Sequence, residues 1–138
     1  MKQTRNTPQK ILIRSLLEGN TSHPTADEVY ELARKENPSI SRATVYRNLN
    51  LLADNEEITR LKMPLGPDHY DYHTKNHYHF LCRNCNRVLD TLIPYYDALN
   101  LETANIPGCK TEWHRLILVG LCPDCNTNNR NKGENENV

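Results

Sequence analysis

No apolar run in this sequence approaches the stretch of about 18 residues that a membrane-spanning helix requires. A membrane partner is therefore not expected. A secretion signal is missing too. Met1-Lys2-Gln3-Thr4-Arg5-Asn6 is basic, but an amphipathic segment follows it, so a cytoplasmic protein is expected. Net charge is absent, with 17 Lys and Arg against 17 Asp and Glu, and this excludes a strong whole-molecule attraction for polyanions. Hydrophobic residues make up only 37% of the 138 positions, which leaves a single core marginal. Two small units, helped by a metal or a dimer interface, suit such a chain better. No internal repeat occurs apart from two Cys-x-x-Cys pairs.

Those pairs, Cys82/Cys85 and Cys122/Cys125, account for four of five cysteines. Without a secretion signal they read as a zinc site before they read as disulfides or a redox couple. Four thiolates fill zinc's tetrahedral shell and leave no open position, so the site is structural. Zinc would tie the end of the chain back to the strand that carries Cys82. Cys109 stands alone and reads as a small buried residue.

The N-terminal half carries helix signals. Thr7-Pro8 opens a first helix with Ile11, Leu12 and Leu16 at helical spacing, and Gly19-Asn20 ends it. Thr25-Ala26-Asp27-Glu28 is a capping box for a second helix, which turns Val29, Leu32 and Ala33 inward. Ser41 caps a third, in which Val45, Leu49 and Leu52 make one apolar stripe. The opposite face shows Arg42, Tyr46, Arg47 and Asn50. Ile58 to Met63 alternates as a strand, residues 64–68 turn, and His69 to Tyr72 returns. Three helices and a hairpin predict a winged helix-turn-helix. Through residue 54 there are eight Lys and Arg against six Asp and Glu, a bias that suits dimeric binding better than monomeric binding.

Beyond residue 72 the pattern changes. His77 to Leu81 and Arg87 to Leu92 read as paired strands, Pro94 as the start of a helix with Tyr95, Tyr96, Leu99 and Leu101, and Lys110 to Leu121 as a long strand. Residues after 126 are Asn-rich and read as disordered. The expected class is thus α+β, with a winged-helix DNA-binding domain over residues 1–72, a small α/β dimerisation domain with a four-cysteine zinc site over 73–126, and a polar tail over 127–138.

On a strand, His77 and His79 point to the same face. Candidate partners are His23, His69, His73, His114, Asp71 and Asp90. A site of His23, Asp71, His77, His79 and Asp90 would draw ligands from both domains. Three nitrogens, two oxygens and no thiolate suit Fe2+ or Mn2+.

His23-Pro24-Thr25-Ala26-Asp27-Glu28-Val29-Tyr30, Ala43-Thr44-Val45-Tyr46 and His77-x-His79-x-x-Cys82-x-x-Cys85 resemble the ferric uptake regulator family, most of all its peroxide-responsive repressors. The resemblance spans residues 7 to 125. It implies a homodimeric repressor that binds an AT-rich inverted repeat in double-stranded DNA through Arg42, Thr44, Tyr46 and Arg47. It implies structural Zn2+ at Cys82, Cys85, Cys122 and Cys125, and regulatory Fe2+ or Mn2+ at His23, Asp71, His77, His79 and Asp90. Peroxide would oxidise His23 or His77 and release the DNA. Arg47 stands where many peroxide sensors have Asn and iron sensors have Arg, so an iron- or zinc-sensing repressor is the alternative. Asn76 and Tyr78 leave the family's further metal site incomplete. A non-haem iron enzyme and a zinc-stabilised module without DNA are more distant readings, since five protein ligands leave little room for a substrate and O2 together and a wing follows the third helix.

Overall fold

A computed structural model of the chain describes residues 7–75, 77–102 and 106–126. The polar tail expected from residue 127, and Asn76, lie outside these. The chain divides into two compact units, Met1–Thr74 and Lys75–Val138, two residues beyond the division read from the sequence.

The first unit is three helices followed by a hairpin. Helix α1 spans Pro8–Leu17, with Thr7 as N-cap accepting from the Lys10 N–H at 3.2 Å. Its buried face is not the expected one. Ile13 and Leu17 are buried, whereas Ile11 is 55% exposed and Leu12 and Leu16 sit at the core's edge. Two adjacent stripes are available in Ile11-Leu12-Ile13 and Leu16-Leu17, and packing selects the one that also contains Lys10. Lys10 buries its stem on that face and brings its ammonium within 3.3 Å of Glu57.

Helix α2 spans Ala26–Glu36 and carries both halves of the expected capping box. Helix α3 spans Arg42–Asp54 under the Ser41 cap, and its Val45, Leu49 and Leu52 are all fully buried. These meet Ile13, Leu17, Val29, Ala33, Ile40, Ile58 and Tyr70 in one core. The strands β1 (Thr59–Leu61) and β2 (His69–Asp71) pair antiparallel as the wing, shorter than the sequence suggested.

The second unit holds a three-stranded sheet in the order β4-β3-β5. Strand β3 (His79–Cys82) pairs antiparallel with β4 (Val88–Asp90) and parallel with β5 (Ile117–Gly120). Helix α4 spans Ala98–Glu102. Three expectations need correction. His77 precedes its strand. The helix starts at Ala98, so Tyr95 and Tyr96 lie before it. The long strand from Lys110 shrinks to four residues.

Tyrosine hydroxyls bond the main chain near both of the last two. The Tyr78 hydroxyl accepts the Tyr96 N–H at 3.1 Å. The Tyr95 hydroxyl accepts the His114 N–H and donates to the His114 carbonyl, each at 3.1 Å. The Tyr95 hydroxyl thus takes main-chain groups that a longer ladder would have used. Cys109 is exposed, not buried, and Trp113 is 61% exposed. A Cβ on Gly120 would meet the Phe80 ring at 3.0 Å, so a side chain there would need the ring to shift.

Truncating Leu49 to Ala should cost the first unit about 2–5 kcal/mol, whereas Ile11→Ala should change stability by no more than about 0.5 kcal/mol. Denaturant titration followed by circular dichroism separates the two. Equal losses would contradict the buried face assigned to α1.

Candidate metal centres and recognition helix

The four paired cysteines come together within the second unit, with their sulfurs all within 4.8 Å of one another. Cys82 ends β3, and the chain then turns so that the Asn86 N–H reaches the Cys82 carbonyl at 2.8 Å. Asn86 makes this turn in the left-handed region, at φ +63°. On the other side, residues 123–126 form a helical turn that closes with the Asn126 N–H on the Cys122 carbonyl. None of the five cysteines is in a disulfide.

The geometry fits a tetrahedral ion. With a Zn–S bond of about 2.3 Å, two sulfurs of a tetrahedron lie about 3.8 Å apart. Cys85 Sγ and Cys122 Sγ are 3.8 Å apart, and the Asn84 amide donates to Cys125 Sγ at 3.3 Å.

The four thiols shift in opposite directions. Burial pushes Cys82 up, but the backbone N–H groups of Cys85, Cys122 and Asn84 outweigh it and bring the thiol down to about 6. The Cys125 N–H lowers Cys122. The Arg87 N–H pulls Cys85 down, yet desolvation and the other three sulfurs win and raise it to about 12. Cys125 takes the Asn84 hydrogen bond, which lowers it, and is nonetheless raised by Cys122 and by desolvation. At this spacing all four could be thiolates only with a cation among them.

The five His and Asp residues form two sets, one in each unit. In the first unit His23 and Asp71 are both buried, with Nε2 and Oδ2 3.4 Å apart. His23 sits at φ +52°, a left-handed conformation that a non-glycine residue rarely adopts. The wing holds it there. His69 Nδ1–H donates to the His23 carbonyl at 2.6 Å, and the Tyr70 N–H donates to the Pro24 carbonyl at 2.8 Å. His69, a candidate ligand by sequence, is therefore a clamp on His23. Its Nε2 is buried without a hydrogen-bond partner among the described residues, a cost of about 1–3 kcal/mol. The His73 side chain is exposed, and its backbone N–H donates to Asp71 Oδ1 at 3.0 Å.

In the second unit His77, His79 and Asp90 converge. Although His77 lies outside the strand, its ring centroid is 4.3 Å from that of His79. Strand register sets His79 opposite Asp90. Both Nε2 atoms face Asp90 Oδ1, at 3.0 Å from His77 and 3.5 Å from His79. His77 Nδ1–H donates to the Lys75 carbonyl at 2.7 Å, which fixes the proton on Nδ1 and aims the Nε2 lone pair at a carboxylate. Two lone pairs in that position call for a proton or a metal cation between them. Donor atoms about 2.1 Å from a common ion are spaced about 3.0–3.5 Å apart, so the distances fit.

His114 belongs to neither set. Its Nε2 accepts from the Tyr78 hydroxyl at 2.6 Å, and its Nδ1 lies 2.7 Å from Asn100 Oδ1. Tyr95 stacks on its ring.

On α3, Arg42, Tyr46, Arg47 and Asn50 are exposed, as the apolar stripe on the other side requires. Thr44 is half-buried, and its hydroxyl bonds the Ser41 cap at 2.8 Å. Arg60 on the wing donates to Asn50 Oδ1 at 2.6 Å. Asp27, which the sequence offered only as part of a cap, accepts from both Arg42 and Tyr46. No spacing signal in the sequence pairs residues 27 and 46; only the packing of α2 on α3 does.

The sequence pattern of the ferric uptake regulator family matches residues 1–119. The peroxide operon regulator of Bacillus subtilis is 34% identical over 127 residues, covering 91% of this chain and 88% of that protein. Among solved structures, the iron-bound ferric uptake regulator of Francisella tularensis aligns with a TM-score of 0.77 at 25% identity, over 91% of this chain and 98% of that one. The peroxide stress regulator of Campylobacter jejuni aligns at 0.66 and 28% identity, over 86% of this chain and 89% of that one.

Replacing Cys122 with Ser should remove tightly held zinc, while Cys109→Ser should leave the zinc content of the parent unchanged. Elemental analysis of the purified proteins measures both. Full zinc content in the Cys122 variant would rule out the four-sulfur centre.

Proposed function

The chain belongs to the ferric uptake regulator family, and from that premise we propose that it is a metal-dependent, DNA-binding repressor that senses hydrogen peroxide. Cys82, Cys85, Cys122 and Cys125 hold a structural zinc ion. His23 and Asp71 from the first unit and His77, His79 and Asp90 from the second hold one Fe2+ or Mn2+ together, and in doing so bring the units into the DNA-binding arrangement. The domain over residues 1–72 binds DNA and that over 73–126 makes the homodimer.

One observation carries the reading. Each unit presents an imidazole and a carboxylate at metal-ligand spacing, and neither set contains a thiolate. Three nitrogens and two oxygens suit iron or manganese, and five protein ligands leave room for one small molecule such as peroxide.

When bound, ferrous iron supplies the electron that cleaves the peroxide O–O bond. What the chain's own residues do follows from their positions. His79 is 4% exposed, whereas Asp90 is exposed, so peroxide reaches the site from the Asp90 side. His77 is the partly exposed imidazole of the second set, and His23 the buried imidazole of the first. An oxygen added to either ring weakens a donor, the two sets part, and the recognition helices lose their spacing on the inverted repeat. Arg42, Thr44, Tyr46 and Arg47 make the DNA contacts, with Thr44 acting mainly through the cap it shares with Ser41.

The likeness to the iron-bound Francisella tularensis regulator favours a second reading, a repressor that senses iron without responding to peroxide. Protein loaded with Mn2+ should bind an AT-rich inverted repeat, and Asp90→Ala should weaken the metal dependence of that binding by roughly 10–100-fold. Protein loaded with Fe2+ should release the DNA on peroxide treatment and show one added oxygen on the peptide holding His23 or His77. Release without such an oxygen would exclude histidine oxidation. Indifference to peroxide would establish the iron-sensing reading.

A further inference from the structure

Asp27 lies in the first turn of α2, where a carboxylate suits the helix N-terminus. It is not needed as a cap, because Thr25 and Glu28 already satisfy the capping box. Its Oδ1 instead accepts hydrogen bonds from the Arg42 guanidinium and from the Tyr46 hydroxyl, two groups one turn apart on α3. The guanidinium also lies over the Tyr30 ring, 4.5 Å from its centroid, and Tyr30 is one turn along α2 from Asp27. Two residues of α2 therefore grip two residues of α3. The grip is on the surface. The side chains of Asp27 and Arg42 are 67% and 54% exposed, and Tyr46 is 38% exposed. Hydrogen bonding to Asp27 raises the Tyr46 phenol above its ordinary value.

We propose that Asp27 is a specificity-determining residue, an internal substitute for a DNA phosphate that holds Arg42 and Tyr46 back from sequence-independent contact with the DNA backbone. The inference rests on the reading of α3 as the recognition helix. On a random duplex, the groups offered to Arg42 are phosphates. Taking one means leaving Asp27, which is an exchange of one anion for another with a bare carboxylate left beside the backbone. The sequence-independent part of binding is thereby weakened. On a matched site, Arg42 and Tyr46 stay on Asp27, held in one orientation, and the helix makes base-edge contacts without that exchange. Preorganised side chains lose less freedom on binding. Arg47, the next residue on the exposed face, lies outside the grip and is the cation for phosphate contact.

The test uses the full-length chain loaded with Mn2+ and two duplexes of equal length. One is an AT-rich inverted repeat selected from a random pool by this protein, and the other is a mixed-sequence duplex without it. Asp27→Asn keeps shape and an acceptor for Tyr46 but removes the charge. It should tighten binding to the mixed-sequence duplex about fivefold at roughly 0.15 M salt and steepen its salt dependence by about one, the value for one further phosphate contact. The selected duplex should gain less, so the ratio of the two affinities falls. Asp27→Glu, which keeps the charge, should retain the parent salt dependence. An unchanged salt dependence in the Asn variant, or an equal gain on both duplexes, would overturn the role of Asp27. Arg42→Ala and Tyr46→Phe test the underlying reading separately. If neither weakens binding to the selected duplex, α3 is not the recognition helix, whatever Asp27→Asn does.

Discussion

Four sulfur atoms within 4.8 Å of one another set the terms for the C-terminal unit. Its strands are three or four residues long, and the cluster at their end consists of the cysteines themselves with Leu89 and Leu121 packed against them. Tyr78, Leu81 and Val88 are also buried in this unit. Coordination of a metal by the four sulfurs, as proposed, would add its binding energy to the folding energy of the unit. The N-terminal unit is built the other way. Its core runs through all three helices and into the wing, with Val29, Val45, Leu49 and Leu52 fully buried. The first unit is thus stabilised by hydrophobic packing, and in the second a metal on the four sulfurs, as proposed, would add to the packing.

The same electrostatic problem recurs in a softer form at the histidines. The Nε2 of His77 aims a lone pair at Asp90, as sulfur faces sulfur in the cysteine cluster. The difference lies in the donors. Thiolates close a tetrahedron and exclude other ligands, while imidazoles and carboxylates bind harder ions that exchange and react. The backbone prepares each set in its own way. Strand register delivers Asp90 to His79, and the wing, through His69, holds His23 in a left-handed conformation. Each set of donors is therefore presented by backbone held in place, which on the proposed reading makes the loss of one donor costly to the site.

Recognition follows a similar pattern. The face of α3 opposite Val45, Leu49 and Leu52 is exposed because the stripe is buried, but its side chains are not independent of the rest of the unit. Asp27 and Tyr30 on α2 fix Arg42 and Tyr46, and Arg60 on the wing fixes Asn50. The charge balance of the chain is zero, so long-range attraction contributes little and local arrangement of these groups has more to decide.

The sequence by itself determined the parts whose signals are local. Capping residues, the α3 stripe and the two Cys-x-x-Cys pairs could be read directly, because each depends on spacing within one turn or one element. It also offered His23, Asp71, His77, His79 and Asp90 as candidate ligands, from residue type and from resemblance. Tertiary structure decided what depends on competition between partners far apart in the chain. The buried face of α1 turned by one residue because packing selects among adjacent apolar stripes. The expected strand from Lys110 stopped short because Tyr95 took the main-chain groups of His114. His69 became a clamp on His23, and Asp27 a partner for Arg42 and Tyr46. A sequence states which groups can donate and accept; only the folded chain, by placing them within reach, assigns the pairs.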